Sequence, residues 1–139
     1  MGRYPMTDAI CRAGIRNRFL CKVLPEDWVL IAPHLEAVTL DERQVLEYPH
    51  NPIPHAYFLE NGVVSVVAVD NEDHRIEVGV IGYEGVTGVP LILGDDRAQH
   101  SAYMQIPGNG HRIAQGPWCE AQRNSESLRS PMMRCVSSV

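Results

Sequence analysis

The residues whose types and spacing could meet a ligand lie in Gly82-Tyr83-Glu84-Gly85-Val86-Thr87-Gly88-Val89-Pro90-Leu91 and, further on, in His100-Ser101-Ala102. This is the layout of a cassette: a glycine turn, a short apolar segment, an acidic link, then a polar triplet opening a strand. Glycines at 82, 85 and 88 permit positive φ and let a ligand approach the backbone closely. Gly85 to Leu93 carries no charge, so a small anion there would be met by backbone N–H groups and by Ser101. A β-rich chain also needs glycine turns simply to fold, and the glycines alone do not choose between these readings.

Other chemistry finds less support. The six histidines (His34, His50, His55, His74, His100, His111) form no His-x-His or His-Glu-x-x-His pair, and a metal site needs such spacing. The four cysteines, Cys11, Cys21, Cys119 and Cys135, form no Cys-x-x-Cys pair. Cys11 and Cys21 could help hold a metal, but cysteine is among the most buried residue types. Glu26-Asp27 and Asp95-Asp96 sit at a helix start and a turn, where acids cap or are solvated. With no nucleophile–base pair and no paired carboxylates, a non-enzyme without cofactor or metal is expected.

The composition fits that reading. A chain of 139 residues, 45% apolar and 21% charged, has room for one domain with a real core. Its net charge is −5, and Lys22 is its one lysine. No basic face suited to phosphates follows, so duplex DNA is not an expected partner of this chain alone. No apolar run reaches the roughly 18 residues of a membrane span, and no signal-peptide stretch follows the N-terminus. The expected location is the cytoplasm, with no disulfide framework and no membrane partner.

The elements that must position the cassette read as follows. Residues 1–13 form a loose arm. Ile15 and Phe19 share a helical face, and Leu24-Pro25-Glu26-Asp27 starts a second helix with proline in its first turn and Trp28, Ile31 and Ala32 facing the core. Pro33 stops that helix. Short strands follow at 35–40, 44–48, 55–59, 63–69, 75–80, 100–106 and 111–113. Pro49 to Pro54 is a loop that cannot sit inside a sheet. Glu60-Asn61-Gly62 reads as an Asn-Gly hairpin, and Pro107-Gly108-Asn109-Gly110 as a turn. Trp118, Gln122 and Glu126 lie along a helix after Gly116, and Leu128 to Val136 starts another that Pro131 interrupts. Short strands joined by Gly/Pro/Asn turns argue for an antiparallel roll or barrel.

Four segments carry a more specific likeness: Leu24-Pro25-Glu26-Asp27-Trp28, Tyr57 to Ser65, Glu77 to Gly85, and Gly88-Val89-Pro90-Leu91-Ile92-Leu93-Gly94. Together they resemble the cyclic-nucleotide-binding-like sensor domain of the Crp/Fnr family of bacterial transcription regulators, from about Asn17 to Arg134. The resemblance implies a mainly β fold with flanking helices: an eight-stranded antiparallel roll (jelly roll) over 14–115, N-terminal helices included, and a C-terminal helical segment over 116–139. It also implies a ligand pocket at Gly85, Gly88, Val89, His100, Ser101 and Ala102.

In that family a cyclic-nucleotide pocket has Gly-Glu at the cassette start and Arg, a small hydroxyl residue and Ala at its end. Here the matching positions are Gly88-Val89 and His100-Ser101-Ala102. Valine accepts no hydrogen bond, and neutral histidine grips an anion far less than a guanidinium fork. The scaffold is kept and both polar anchors are gone, so cyclic AMP is not expected to bind in the usual way. The resemblance also implies a longer dimer helix and a DNA-binding helix-turn-helix, which this sequence lacks. That points to a truncated or frameshifted product or to the sensor alone, a weak homodimer at most, and an effector of unknown identity. Two rivals stand beside the sensor: a ligand-free structural or dimerisation module, and a cupin-like metal enzyme, for which the histidine spacing is wrong.

Overall fold

The computed structural model describes residues 14–129. The arm at 1–13, with Cys11, and the segment from 130 on, with Pro131, Met132, Met133 and Cys135, lie outside the described residues.

Helix α1 (Arg18–Cys21) is opened by Asn17, whose Oδ1 accepts from Leu20 N–H at 3.0 Å, satisfying one of the orphan donors of a helix start. Helix α2 (Pro25–Ile31) has Pro25 in its first turn, as expected, and turns Trp28 and Ile31 inward. A 3-10 turn at Ala32–His34 containing Pro33 ends it.

Among the described residues seven strands form two antiparallel sheets. One has the order β1 (Glu36–Leu40), β7 (Gly108–Ala114), β3 (His55–Leu59); the other β2 (Val45–Glu47), β6 (Ser101–Ile106), β4 (Val63–Val69), β5 (Arg75–Ile81). Among the described residues the eighth strand of the implied roll does not form. The stretch that could supply it is reduced to one bridge between Pro52 and Arg97, because Pro49, Pro52 and Pro54 bring no N–H to a ladder.

Two expected turns are corrected. Glu60-Asn61-Gly62 does not close a hairpin: β3 pairs with β7 while β4 pairs with β5 and β6. Gly62, at φ 91°, carries the chain from one sheet to the other. Likewise Gly108 to Gly110 belong to β7, and Pro107 is the corner between sheets. The true hairpin joins β4 to β5, where Asp70 Oδ1 accepts from the N–H groups of Glu72 and His74.

Helix α3 (Val89–Ile92) follows Gly88, and helix α4 (Gln115–Asn124) follows β7. The core lies in two clusters. On the helical side Phe58 and Trp118 meet edge to face at 5.3 Å, with Phe19 completing the group. Between the sheets pack Leu40, Leu46, Tyr57, Leu59, Val64, Ala102 and Met104.

Candidate functional site

The cassette is stitched to the roll by named bonds. Thr87 Oγ1 accepts from Tyr57 N–H at 2.9 Å, and Thr87 N–H donates to Tyr57 O at 3.0 Å. Asn17 Nδ2 donates to Leu59 O and to Gly85 O, so one side chain both caps α1 and fixes the cassette's turn. Glu60 completes this joint: its carboxylate accepts the N–H groups of Arg16 and Asn17 and lies 3.8 Å from His111 Nδ1.

Of the three cassette glycines only Gly88 has positive φ, at 79°. It turns the chain into α3, and its N–H points at a side chain: Glu47 Oε2, 2.8 Å away. Glu47 comes from β2, is 8% exposed, and was not singled out by sequence reading. A lone glutamate in a short strand gives no signal until the register sets it opposite Ala102. Burial pushes its carboxyl above the ordinary value of 4.5, and the Gly88 hydrogen bond opposes that shift.

A cavity of about 430 Å³ opens between the cassette and the sheet edge. Gly85, Gly88, Val89, His100 and Ala102 line it, so five of the six candidate residues are brought together. Ser101 is not among the lining residues. It alternates with His100 and Ala102 along the strand and is buried, as period-two geometry requires. The other walls are Val66, Val78, Val80, Ile81 and Ile92, with Glu84 and Gln99 as further polar residues and no lysine or arginine.

One acid pair reads differently in space than in sequence. Asp27 is buried, and its carboxylate accepts from Ser125 Oγ at 2.5 Å and Ser127 Oγ at 2.6 Å; it ties α2 to the chain after α4 instead of being solvated. Among the described residues no cluster of three His, Cys, Asp or Glu could hold a metal, and no helix is long and apolar enough to cross a membrane.

No family model matches the chain, and no curated protein matches it in sequence. Solved structures do. The sensor domain of the transcriptional regulator DNR from Pseudomonas aeruginosa is similar at TM-score 0.71 and 12% identity, over 95% of this chain and 89% of that one. The N-terminal domain of a transcriptional regulator from Streptomyces coelicolor is similar at 0.65 and 13%, over 90% and 88%. The regulatory domain of Toxoplasma gondii PKA, solved with cAMP, is similar at 0.72 and 14%, over 99% of this chain and 51% of that one. At such identities the likeness is one of backbone: the chain has the β-roll fold of cyclic-nucleotide-binding-type and regulator sensor domains.

Proposed function

We propose that this chain is the regulatory sensor domain of a Crp/Fnr-type bacterial transcription regulator, with a degenerate cyclic-nucleotide cavity that does not hold cyclic AMP in the usual way. The observation that carries this reading is the cavity itself: it lies where the cassette meets the roll, and Val89 and His100 line it where the resembled family has glutamate and arginine. The DNR and Streptomyces coelicolor domains, regulator domains of the same fold, support the regulatory role. Contact with DNA would run through a helix-turn-helix domain and not through this roll. Any homodimer of this chain would be weak.

The cavity is also well placed to signal. Helix α3 supplies Ile92 to its wall and Leu91 to the helical core, where Leu91 joins Trp118, Ala121 and Leu128. A ligand that moves α3 therefore moves the surface on which α4 rests.

Titration calorimetry with cyclic AMP and cyclic GMP tests the reading. Hydrogen bonds to a charged group contribute about 1.5–3 kcal/mol each, so loss of both anchors leaves binding at about millimolar or weaker. The Val89→Glu, His100→Arg variant recovers measurable affinity, more so with Glu47→Gln added, which removes the carboxylate a phosphate would meet. Micromolar binding by the unaltered chain overturns the degenerate-cavity reading.

A further inference from the structure

Two carboxylates line the cavity, the exposed Glu84 and the buried Glu47, and both have the wrong sign for a nucleotide phosphate. Glu47 is more than nine-tenths buried, lines the cavity, and spends Oε2 on the Gly88 N–H. Among the described residues Oε1 accepts no hydrogen bond. The walls around it are Val66, Val78, Val80, Ile81, Val89 and Ile92, and no lysine or arginine lines the space. The amide that an anion would use is thus already held by a carboxylate. A second negative charge brought beside it would meet like-charge repulsion in a poorly solvated site.

Resting on the sensor-cavity reading, we propose that the cavity selects a small organic amine: an apolar body lying against the valine and isoleucine walls, with one protonated nitrogen donating to Glu47. A buried carboxylate with an unused oxygen gains most from a cation that also brings hydrogen-bond donors. An ammonium group supplies both, and the burial that raises the Glu47 carboxyl is compensated once that partner arrives. A neutral alcohol supplies the donor without the charge, and a carboxylate of equal length supplies neither.

Three probes of one length separate these chemistries: octylamine, octanol and octanoate, titrated into the full chain at neutral pH. Octylamine should bind at least about tenfold tighter than octanol, the worth of one charge-assisted contact, and octanoate should be the weakest. Glu47→Gln should lower octylamine affinity about tenfold and leave octanol within about twofold. Val78→Trp, at the exposed wall, should weaken octylamine and octanol together. An octylamine signal that this substitution leaves untouched is surface attraction to an acidic chain and overturns the proposal. Octanoate binding as tightly as octylamine overturns the amine assignment while leaving the sensor cavity standing. Binding of none of the three overturns the sensor reading as well. If Glu47→Gln fails to fold, the three-way ranking on the unaltered chain still decides.

Discussion

The helical side of the roll and its cavity side treat a buried acid in opposite ways. On the helical side Glu60 accepts two backbone N–H groups from the start of α1 and faces His111, and Asp27 accepts two serine hydroxyls. Both acids join segments far apart in sequence, and aromatic rings fill the space around α1, α2 and α4. On the cavity side Glu47 has one amide partner, and branched aliphatic side chains line a hollow that no aromatic ring fills. The outermost strand there, β5, exposes Ile76, Val78 and Val80. The contrast separates joints from sites: a buried acid whose oxygens are all used holds the fold, whereas one with an oxygen to spare beside a cavity is available to a ligand.

The largest effect that sharpens this contrast is removal of the ring where the helical cluster converges. Trp118→Ala should lower unfolding free energy by about 3–5 kcal/mol in urea titration, because a fully buried indole leaves a cavity that the roll cannot close. Trp118→Phe should cost clearly less, since Trp118 Nε1 has no hydrogen-bond partner to lose. On the other side Val80→Ala, half exposed at the cavity wall, should stay within about 0.5 kcal/mol of the parent. Equal losses at Trp118 and Val80 would erase the difference between the two regions.

Next in size is Asp27→Ala. It strips two buried serine hydroxyls of their acceptor and frees the chain after α4 from α2, which should cost about 1–3 kcal/mol. Amide exchange at Leu128, whose N–H donates to Ser125 Oγ, should accelerate with it. An unchanged Leu128 amide would mean that Asp27 is no joint and that the acids on the two sides differ less than their partners suggest.

The legibility of the sequence divides along the same line. Pro25 at its helix start, the Trp28 and Ile31 stripe and the glycine cassette are local signals, and the folded chain keeps them; β5 forms where expected, but Ile76, Val78 and Val80 along it are exposed. What sequence could not supply is pairing. Asn61-Gly62 has hairpin chemistry, yet β3 and β4 part into different sheets, because register with β7 and β6 decides their neighbours. Asp27 looked like a first-turn acid until Ser125 and Ser127, about a hundred residues away, closed on it. Glu47 was silent for the same reason: a single glutamate becomes a candidate only when β2 lies beside β6 and Gly88 turns its N–H inward. Of the triplet, His100 and Ala102 line the cavity and Ser101 does not, because side chains alternate along β6.

The smallest effect is the most discriminating, because it reads the state of Glu47 directly. Burial raises its folded-state carboxyl above 4.5, so the native state holds a proton longer than the unfolded chain. A raised acid contributes its full stability below the unfolded value and loses it as pH rises through the folded value. The stability of Glu47→Gln minus that of the parent should therefore grow as pH climbs from about 4.5, then level off once both states of the parent are ionised. A difference curve is needed because the exposed Glu36 and Asp70, both lowered by hydrogen bonds, slope the other way in either protein and cancel on subtraction. Saturating octylamine should flatten the rise, since a cation on Oε1 returns to the ionised carboxylate what burial took from it. A difference that is flat without amine, or that falls with pH, would show that the folded chain already satisfies the Glu47 carboxylate, and the division of the roll into a joined side and an open side would fail at the residue that defines it.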